Sequence, residues 1–254
     1  MDSFIQTIVK AAGRAVLKHF GKAGVHYTKS HARWDVVTKA DLLSEKMLIA
    51  AIQKKYPNHG IISEESGEKN SSAEYVWILD PIDGTLNYSL GVPSFGVMAC
   101  LTHKRTPVLS AIAMPATNEF FFAKAGKGAY RNGKRLHCAK SKKLETTFGM
   151  HGTTLNPRTT RFLRNVLGMT SRGHMLTGSF SSPANACYVA TGQRDWIVSL
   201  SGQVWDFAPE YLILKEAGCK VTDTKGNPWR LGMLEMVAAN PVLHKQLLKL
   251  TAGV

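Results

Sequence analysis

Two carboxylates, a proline, a glycine and a hydroxyl meet in Asp80-Pro81-Ile82-Asp83-Gly84-Thr85, directly after the apolar run Val76, Trp77, Ile78 and Leu79. The run reads as a short buried strand whose end is marked by Asp-Pro. Two like charges in one turn repel unless water separates them or a cation lies between, and a hard divalent cation resolves the conflict. Pro81 fixes its own φ and biases Asp80 toward extended backbone, while Gly84 lets the chain approach a ligand closely. Asp83-Gly84-Thr85 then opens a short helix whose free N–H groups attract an anion, so cation and phosphate sites adjoin. The same hexapeptide is also ordinary turn composition with a capping residue, and taken alone it leaves the two readings level.

Other acids stand in similar places. Glu64-Glu65 follow Ile61-Ile62 and precede Ser66-Gly67, closing another short strand. Asp206 lies in Trp205-Asp206-Phe207-Ala208-Pro209-Glu210, a helix start in which Asp206 is a cap or first-turn acid and Pro209 falls within the first turn. Asp41 precedes a helical stretch running to about Lys55, where Leu43, Met47, Leu48 and Ile52 fall near helical spacing and Pro57 ends it. Here too a cap is the default. All-oxygen ligands favour Mg²⁺ or Mn²⁺ over Zn²⁺, and no CxxC or HExxH pattern competes.

Taken in order, Asp41, Glu64-Glu65, the run Asp80 to Thr85, and Trp205-Asp206 resemble the signature of the inositol monophosphatase family, within the lithium-sensitive, magnesium-dependent phosphatase superfamily. The family's closing Gly-Gly becomes Gly218-Cys219, after the expected eleven residues. The resemblance extends through Gly126-Lys-Gly-Ala-Tyr130-Arg-Asn-Gly133 and Val189-Ala-Thr-Gly192, covering nearly the whole chain. It implies that Glu64, Asp80, Asp83, Asp206 and the Ile82 carbonyl hold roughly two to three Mg²⁺ ions, with Mn²⁺ admissible. It makes Glu65 and Asp41 residues that bind or orient water around the ions, and Glu64, Thr85 and Asp41 the catalytic groups that position attacking water. Asp83, Gly84, Thr85, Ser181, Ser182, Ser199 and Asp206 would meet the substrate.

The implied reaction is hydrolysis of a small phosphate monoester, inositol 1-phosphate or a related sugar or polyol phosphate, by metal-activated water without a phosphoenzyme. In inositol-specific members an acid stands seven positions before the Trp-Asp aspartate. Here that place is Ser199, which weakens the case for inositol itself. Ser181 and Ser182, in a segment resembling the family's Gly-Ser-Ala-Ala region, either hydrogen-bond a polyol or cap a helix from Pro183 to Thr191. Fructose bisphosphate, phosphoadenosine phosphate, histidinol phosphate and NADP are the competing substrates.

The elements that must position these groups are mixed. An N-terminal helix carries Phe4, Ile5, Ile8, Val9, Ala12 and Val16 on one face; Lys10, Arg14 and Lys18 interrupt it, so it reads as part of the fold and not as a secretory signal. A second helix, strands near 61–63 and 76–79, and an antiparallel meander at Phe95 to Leu101, Val108 to Ala113 and Glu119 to Ala123 follow. The second half reads as helix-rich: a basic helix near 158–167, a helix from 183, a strand at Asp195 to Leu200, a helix from about 206, and Met236 to Ala239 leading to a terminal helix. The fold class is therefore α+β, and the resemblance adds a layered αβαβα architecture and a homodimer. One domain of residues 1–254 is expected, with fused halves 1–143, carrying Glu64, Asp80 and Asp83, and 144–254, carrying Asp206 and the substrate-recognition region. They meet in the polar stretch Lys140 to Thr147.

Composition excludes a disordered chain, since 44% hydrophobic and 20% charged content over 254 residues can bury a large core. Cys100, Cys138, Cys187 and Cys219 are widely spaced in mostly apolar surroundings, which points to reduced core thiols in the cytoplasm. Nothing reaches the length of a membrane span. A net charge of +14 leaves a strongly basic surface, with clusters at Arg131, Lys134, Arg135, Lys140, Lys142 and Lys143 and at Arg158, Arg161, Arg164 and Arg172. It draws anionic substrates, and it supports the alternative of a phosphatase-fold protein whose surface binds RNA, a transcription complex or another acidic partner. A solvated basic face explains the charge equally simply.

Overall fold

A computed structural model describes residues 1–22, 24–29, 35–169 and 175–254; Arg172 lies outside the described residues. The chain begins with α1 (Asp2–Leu17), a hairpin of β1 (Val25–Thr28) and β2 (Val36–Thr38), and α2 (Lys39–Lys55). An eight-stranded sheet follows: β3 (Gly60–Ser63), β4 (Gly67–Lys69), β5 (Tyr75–Asp83), β6 (Gly96–His103), β7 (Thr106–Met114), β8 (Glu119–Lys124), β9 (Gly128–Arg131) and β10 (Lys134–Arg135). The short α3 (Thr85–Ser89) bridges β5 and β6. The sheet order is β10-β9-β8-β7-β6-β5-β3-β4, so the expected meander is present, β3 pairs parallel with β5, and β4 forms the edge beyond β3.

The second half is not merely helical. It holds a five-stranded sheet of β11 (Phe148–His151), β12 (Leu176–Gly178), β13 (Trp196–Ser199), β14 (Lys220–Thr222) and β15 (Met236–Ala239), in the order β12-β11-β13-β15-β14. Its helices are α4 (Pro157–Met169), α5 (Ser182–Ala190), α6 (Val204–Glu216) and α7 (Pro241–Leu250). Strands β11, β12 and β14 escape sequence reading because each is only three or four residues long, too short for period-two alternation to show.

Alternation along the strands sorts the core into layers. On β5, Trp77 and Leu79 pack with Ile5, Val9, Leu48 and Ile52 from α1 and α2. Val76 and Ile78 point the other way, toward Leu212 and Ile213 of α6 and, across the helices, Ile197 and Ala238 of the second sheet. Beyond that sheet, Trp196 and Val198 meet Phe162 of α4 and Leu243 and Leu247 of α7. Helices, sheet, helices, sheet, helices: the αβαβα layering follows. Each fully buried Leu or Ile contributes about 1.5–3 kcal/mol, against about 0–1 kcal/mol for an exposed ion pair, so these apolar layers hold the frame that carries the polar groups. Among the described residues, no helix is long and apolar enough to cross a membrane.

Helix α2 buries a different stripe from the one its leucines suggest. Leu43 is exposed and Met47 only half-buried, whereas Asp41, Ser44, Glu45, Leu48 and Ile52 face inward. These positions keep the i, i+3, i+4, i+7 period, with the first turn and a half polar because it faces the acidic cluster described below.

Gly149 shows how closely the second sheet is packed. A Cβ there would fall 1.9 Å from Trp196 Cε2, and that ring is held by a 2.9 Å hydrogen bond from Nε1 to Thr147 Oγ1 and by the edge-on Phe162. Gly149→Ala should therefore destabilise by about 1–3 kcal/mol, the usual range for overpacking, and lower Tm by several degrees in a melting experiment. An unchanged Tm would mean the indole has room to move.

Candidate active site

Strand β5 does not stop at Asp80-Pro81. Pairing with β6 slips between Asp80 and Asp83, and this irregularity lets the strand pass through Pro81, which cannot donate to the ladder, and run to Asp83. The bulge turns both carboxylates toward the same side. Gly84 follows with φ +83°, and a Cβ there would lie 2.7 Å from the Ser94 carbonyl and 3.0 Å from Ser181 Cβ, so conformation and space both demand glycine.

Asp206 arrives from the opposite direction. It is the third residue of α6, and its Oδ2 accepts the Gln203 N–H at 2.7 Å, so it is a first-turn acid serving the helix start. Pro209 sits deeper than expected, at the sixth helical position instead of the first turn. Asp80, Asp83 and Asp206 each offer an oxygen, and those oxygens lie within 4.8 Å of one another. Asp80 is buried and its Oδ1 has no hydrogen-bond partner among the described residues, while Asp83 Oδ1 accepts the Ser182 N–H at 3.0 Å. Asp83 and Asp206 keep some surface open to solvent, yet protein encloses both carboxyls on most sides. Burial raises all three, followed for Asp80 by the charges of Glu64, Asp83 and Asp206, and for Asp83 by those of Asp206 and Glu210. Asp206 is pushed up to about 7, by burial against the Gln203 N–H. A partnerless buried oxygen amid mutually repelling carboxylates is the donor set a hard cation fits.

The other expected residues surround this cluster. Thr85 Oγ1 lies 2.7 Å from the Ile82 carbonyl and 3.0 Å from Asp41 Oδ1. Asp41 caps α2 as the default reading has it, through Oδ2 on Thr38, and also reaches Thr85; burial raises it to about 6 against the hydrogen bonds of Thr38 and Thr85. Glu64, whose charge acts on Asp80, Asp83 and Asp206, shares Lys29 with Glu65; the Lys29 Nζ lies 2.7 Å from Glu64 Oε1 and 2.8 Å from Glu65 Oε1. Burial acts to lower the Lys29 ammonium, but Glu64 and Glu65 outweigh it and hold it above the usual lysine range. Glu65 is raised to about 7 by burial, opposed by Lys29.

The serines are more committed than a free polyol contact needs. Ser181 occupies the position before α5 without a side-chain capping bond; its N–H donates to Ser94 Oγ at 3.0 Å. Ser182 Oγ donates to Glu210 Oε1 at 2.6 Å. Ser199 is 4% exposed, and its hydroxyl donates to the Ser201 carbonyl at 3.2 Å.

Sequence reasoning missed the groups that hold these residues. Glu45 Oε1 gathers the Ser63 hydroxyl, the Ser66 hydroxyl and the backbone N–H groups of Glu65 and Ser66, fixing the Glu64-Glu65 turn. Ser44 Oγ donates to the Pro81 carbonyl at 2.8 Å. Glu210, buried one helical turn after Asp206, is raised to about 8, by burial against the Ser182 hydroxyl and then by the charge of Asp206, and its Oε2 has no partner among the described residues. The i, i+3, i+4 spacing of Asp41, Ser44 and Glu45, and of Asp206 with Glu210, was the signal available.

These groups set a pH dependence. A carboxyl whose folded value stands above its unfolded value of about 4 keeps in the folded state a proton that the unfolded chain has lost, so its contribution falls as pH rises through that window. His244 acts oppositely: fully buried, it is lowered to about 4, by burial and then Lys220, so its contribution is complete above about 6.5 and fades as pH falls. Metal-free protein should therefore gain stability from about pH 8 to about 6.5, with His244 opposing any gain below. Asp83→Asn should raise the metal-free Tm at pH 8 by removing one repelling charge. A pH-independent Tm over that range, or a lower Tm for the variant, would contradict the described electrostatics.

The chain matches the Inositol monophosphatase family over residues 1–253. It is 31% identical to Nus factor SuhB of Pasteurella multocida, covering 98% of this chain and 95% of the relative. It is 32% identical to the fructose-1,6-bisphosphatase/inositol-1-monophosphatase of Aquifex aeolicus, covering 96% and 93%. Among solved structures it is similar to the Thermotoga maritima IMPase, with a TM-score of 0.88 and 28% identity over 98% of this chain and 96% of that one. With the acidic cluster at the end of β5 and the start of α6, and the match running the length of the chain, this protein belongs to the inositol monophosphatase family of phosphoric monoester hydrolases.

Proposed function

We propose that the protein hydrolyses a small sugar or polyol monophosphate with Mg²⁺ held by Asp80, Asp83, Asp206, Glu64 and the Ile82 carbonyl. The observation that carries this reading is the meeting of Asp80, Asp83 and Asp206 within 4.8 Å, with Asp80 Oδ1 lacking a partner among the described residues. When bound, the cations supply charge neutralisation for the phosphoryl group and its leaving oxygen and favour ionisation of the attacking water.

The side chains around them have separable tasks. Thr85 Oγ1, between the Ile82 carbonyl and Asp41 Oδ1, orients the attacking water, and Asp41 receives a proton through that hydroxyl. Ser182 N–H keeps Asp83 turned inward, and Gln203 N–H does the same for Asp206. The N–H groups of Gly84 and Thr85 hold the phosphate. Glu64 shares with Thr85 the positioning of water, and Glu65 orients further water around the ions. Lys29 balances these two glutamates, so that end of the site carries one cationic side chain before any ion binds.

Substrate identity rests on Ser199, a neutral hydroxyl where an acid would bind inositol hydroxyls, and on the dual name of the Aquifex aeolicus relative. These favour a broad sugar or polyol phosphatase over a strict inositol 1-phosphatase. The same reading takes the enzyme as a cytoplasmic homodimer.

A second reading rests on the charge of +14, the exposed Lys134, Arg135, Lys140, Lys142 and Lys143, and the name Nus factor SuhB for the Pasteurella multocida relative. In it the basic surface also engages RNA or a transcription complex. Such retention should weaken steeply with salt and survive Asp83→Asn, in a filter-binding assay at rising ionic strength.

Phosphate release across a panel of phosphometabolites should depend on added Mg²⁺ or Mn²⁺ and fall at least about a hundredfold in Asp206→Asn, with the fold retained by circular dichroism. Turnover unchanged by chelator, or full activity in Asp206→Asn, would remove the metal-site assignment.

A further inference from the structure

Outside the acidic site, two thiols meet. The Cys138 N–H donates to the Ala217 carbonyl at 2.9 Å, which lays the segment leaving the eight-stranded sheet against the C-terminal turn of α6. There Gly218 takes φ +95°, and a Cβ on it would come within 3.8 Å of Cys138 Sγ. The next residue is Cys219, the position at which this chain departs from the Gly-Gly signature, and each of the two thiols shifts the other's titration. Cys219 is buried; Cys138 is only half-buried and lines an open cleft of about 340 Å³ with His137, Lys140, Lys142, Gly218 and Asn240. The other two cysteines, Cys100 and Cys187, are buried in the core.

We propose that Cys138 and Cys219 form a peroxide-reactive pair that closes into a disulfide. Cys138 is the attacking sulfur. It is reached from the cleft, it has two lysines lining the same cleft, and the neighbouring Cys219 holds its thiol below the ordinary value, while Cys138 and then burial raise Cys219. The oxidant is a hydroperoxide. In the first step the Cys138 thiolate takes one peroxide oxygen as the O–O bond breaks, giving a sulfenic acid and hydroxide. In the second, Cys219 gives up its proton and attacks Cys138 sulfur, the S–O bond breaks, and water leaves. Two thiols and one hydrogen peroxide give one disulfide and two waters. The bond links the segment after β10 to the end of the helix that carries Asp206, closing a loop that contains α4 to α6 and β11 to β13.

The test is treatment of the full-length protein with stoichiometric hydrogen peroxide, quenching with an alkylating agent, and peptide mass mapping without reduction. The expected result is a linked peptide pair containing Cys138 and Cys219, a mass loss of two hydrogens and reversal by dithiothreitol. Cys219→Ser, or Cys219→Ala should the serine variant fail to fold, should instead accumulate a Cys138 sulfenic acid captured by dimedone. Cys138→Ser should stay unmodified at the same dose. The proposal is overturned by oxidation that reaches Cys100 or Cys187 first, by Cys138 going to sulfinic acid without the link, or by an unreactive Cys138. None of these outcomes depends on phosphatase activity.

Discussion

Mutual repulsion among Asp80, Asp83 and Asp206 is the constraint to which the rest of the site answers. Three carboxylates within 4.8 Å of one another, one fully buried, raise the free energy of the folded chain at neutral pH unless protons or a cation compensate. The fold bears this strain because its apolar layers are extensive. Leu79 and Ile82 on one side of β5 and Ile78 on the other are completely buried, so the strand that delivers the two aspartates cannot swing away to relieve them. The closeness of the three carboxylates is in that sense held by the packing of the sheets and helices.

Backbone donors do the fine positioning. Ser182 N–H sets Asp83 and Gln203 N–H sets Asp206, and both come from the starts of helices whose other faces pack between the two sheets. Helix α2 plays the matching part on the opposite side of the eight-stranded sheet, where Asp41, Ser44 and Glu45 respectively touch Thr85, the Pro81 carbonyl and the Glu64-Glu65 turn. The carboxylates of Asp41 and Asp206 that serve helix starts thus also face the candidate site. The capping and catalytic alternatives that the sequence leaves open for Asp41 and Asp206 are compatible, since each side chain has two oxygens to share.

The α+β class and the meander were legible because apolar strands leave strong patterns, whereas the αβαβα layering was implied by the family resemblance that the ordered carboxylates carry. The bulge at Pro81 was not, since Asp-Pro normally ends a strand, and here only the slipped pairing with β6 lets it continue. On α2 the reading was right for Leu48 and Ile52 but wrong for Leu43 and Met47, because the inward face is polar in the turns nearest the site. Lys29 gave no signal at all: its contact with Glu64 and Glu65 spans more than thirty residues and depends on a hairpin whose exposed strands carry no burial pattern. Cys138 and Cys219, read as separate core thiols, are joined only by the turn after α6.

Anomalous diffraction from crystals soaked in Mn²⁺ tests the central claim most directly. The account predicts a peak coordinated by oxygens of Asp80, Asp83 and Asp206, with Asp80 Oδ1 among its ligands, and loss of that peak in Asp206→Asn. A wild-type map with no peak between those carboxylates at saturating Mn²⁺, or with the ion bound elsewhere, would contradict it.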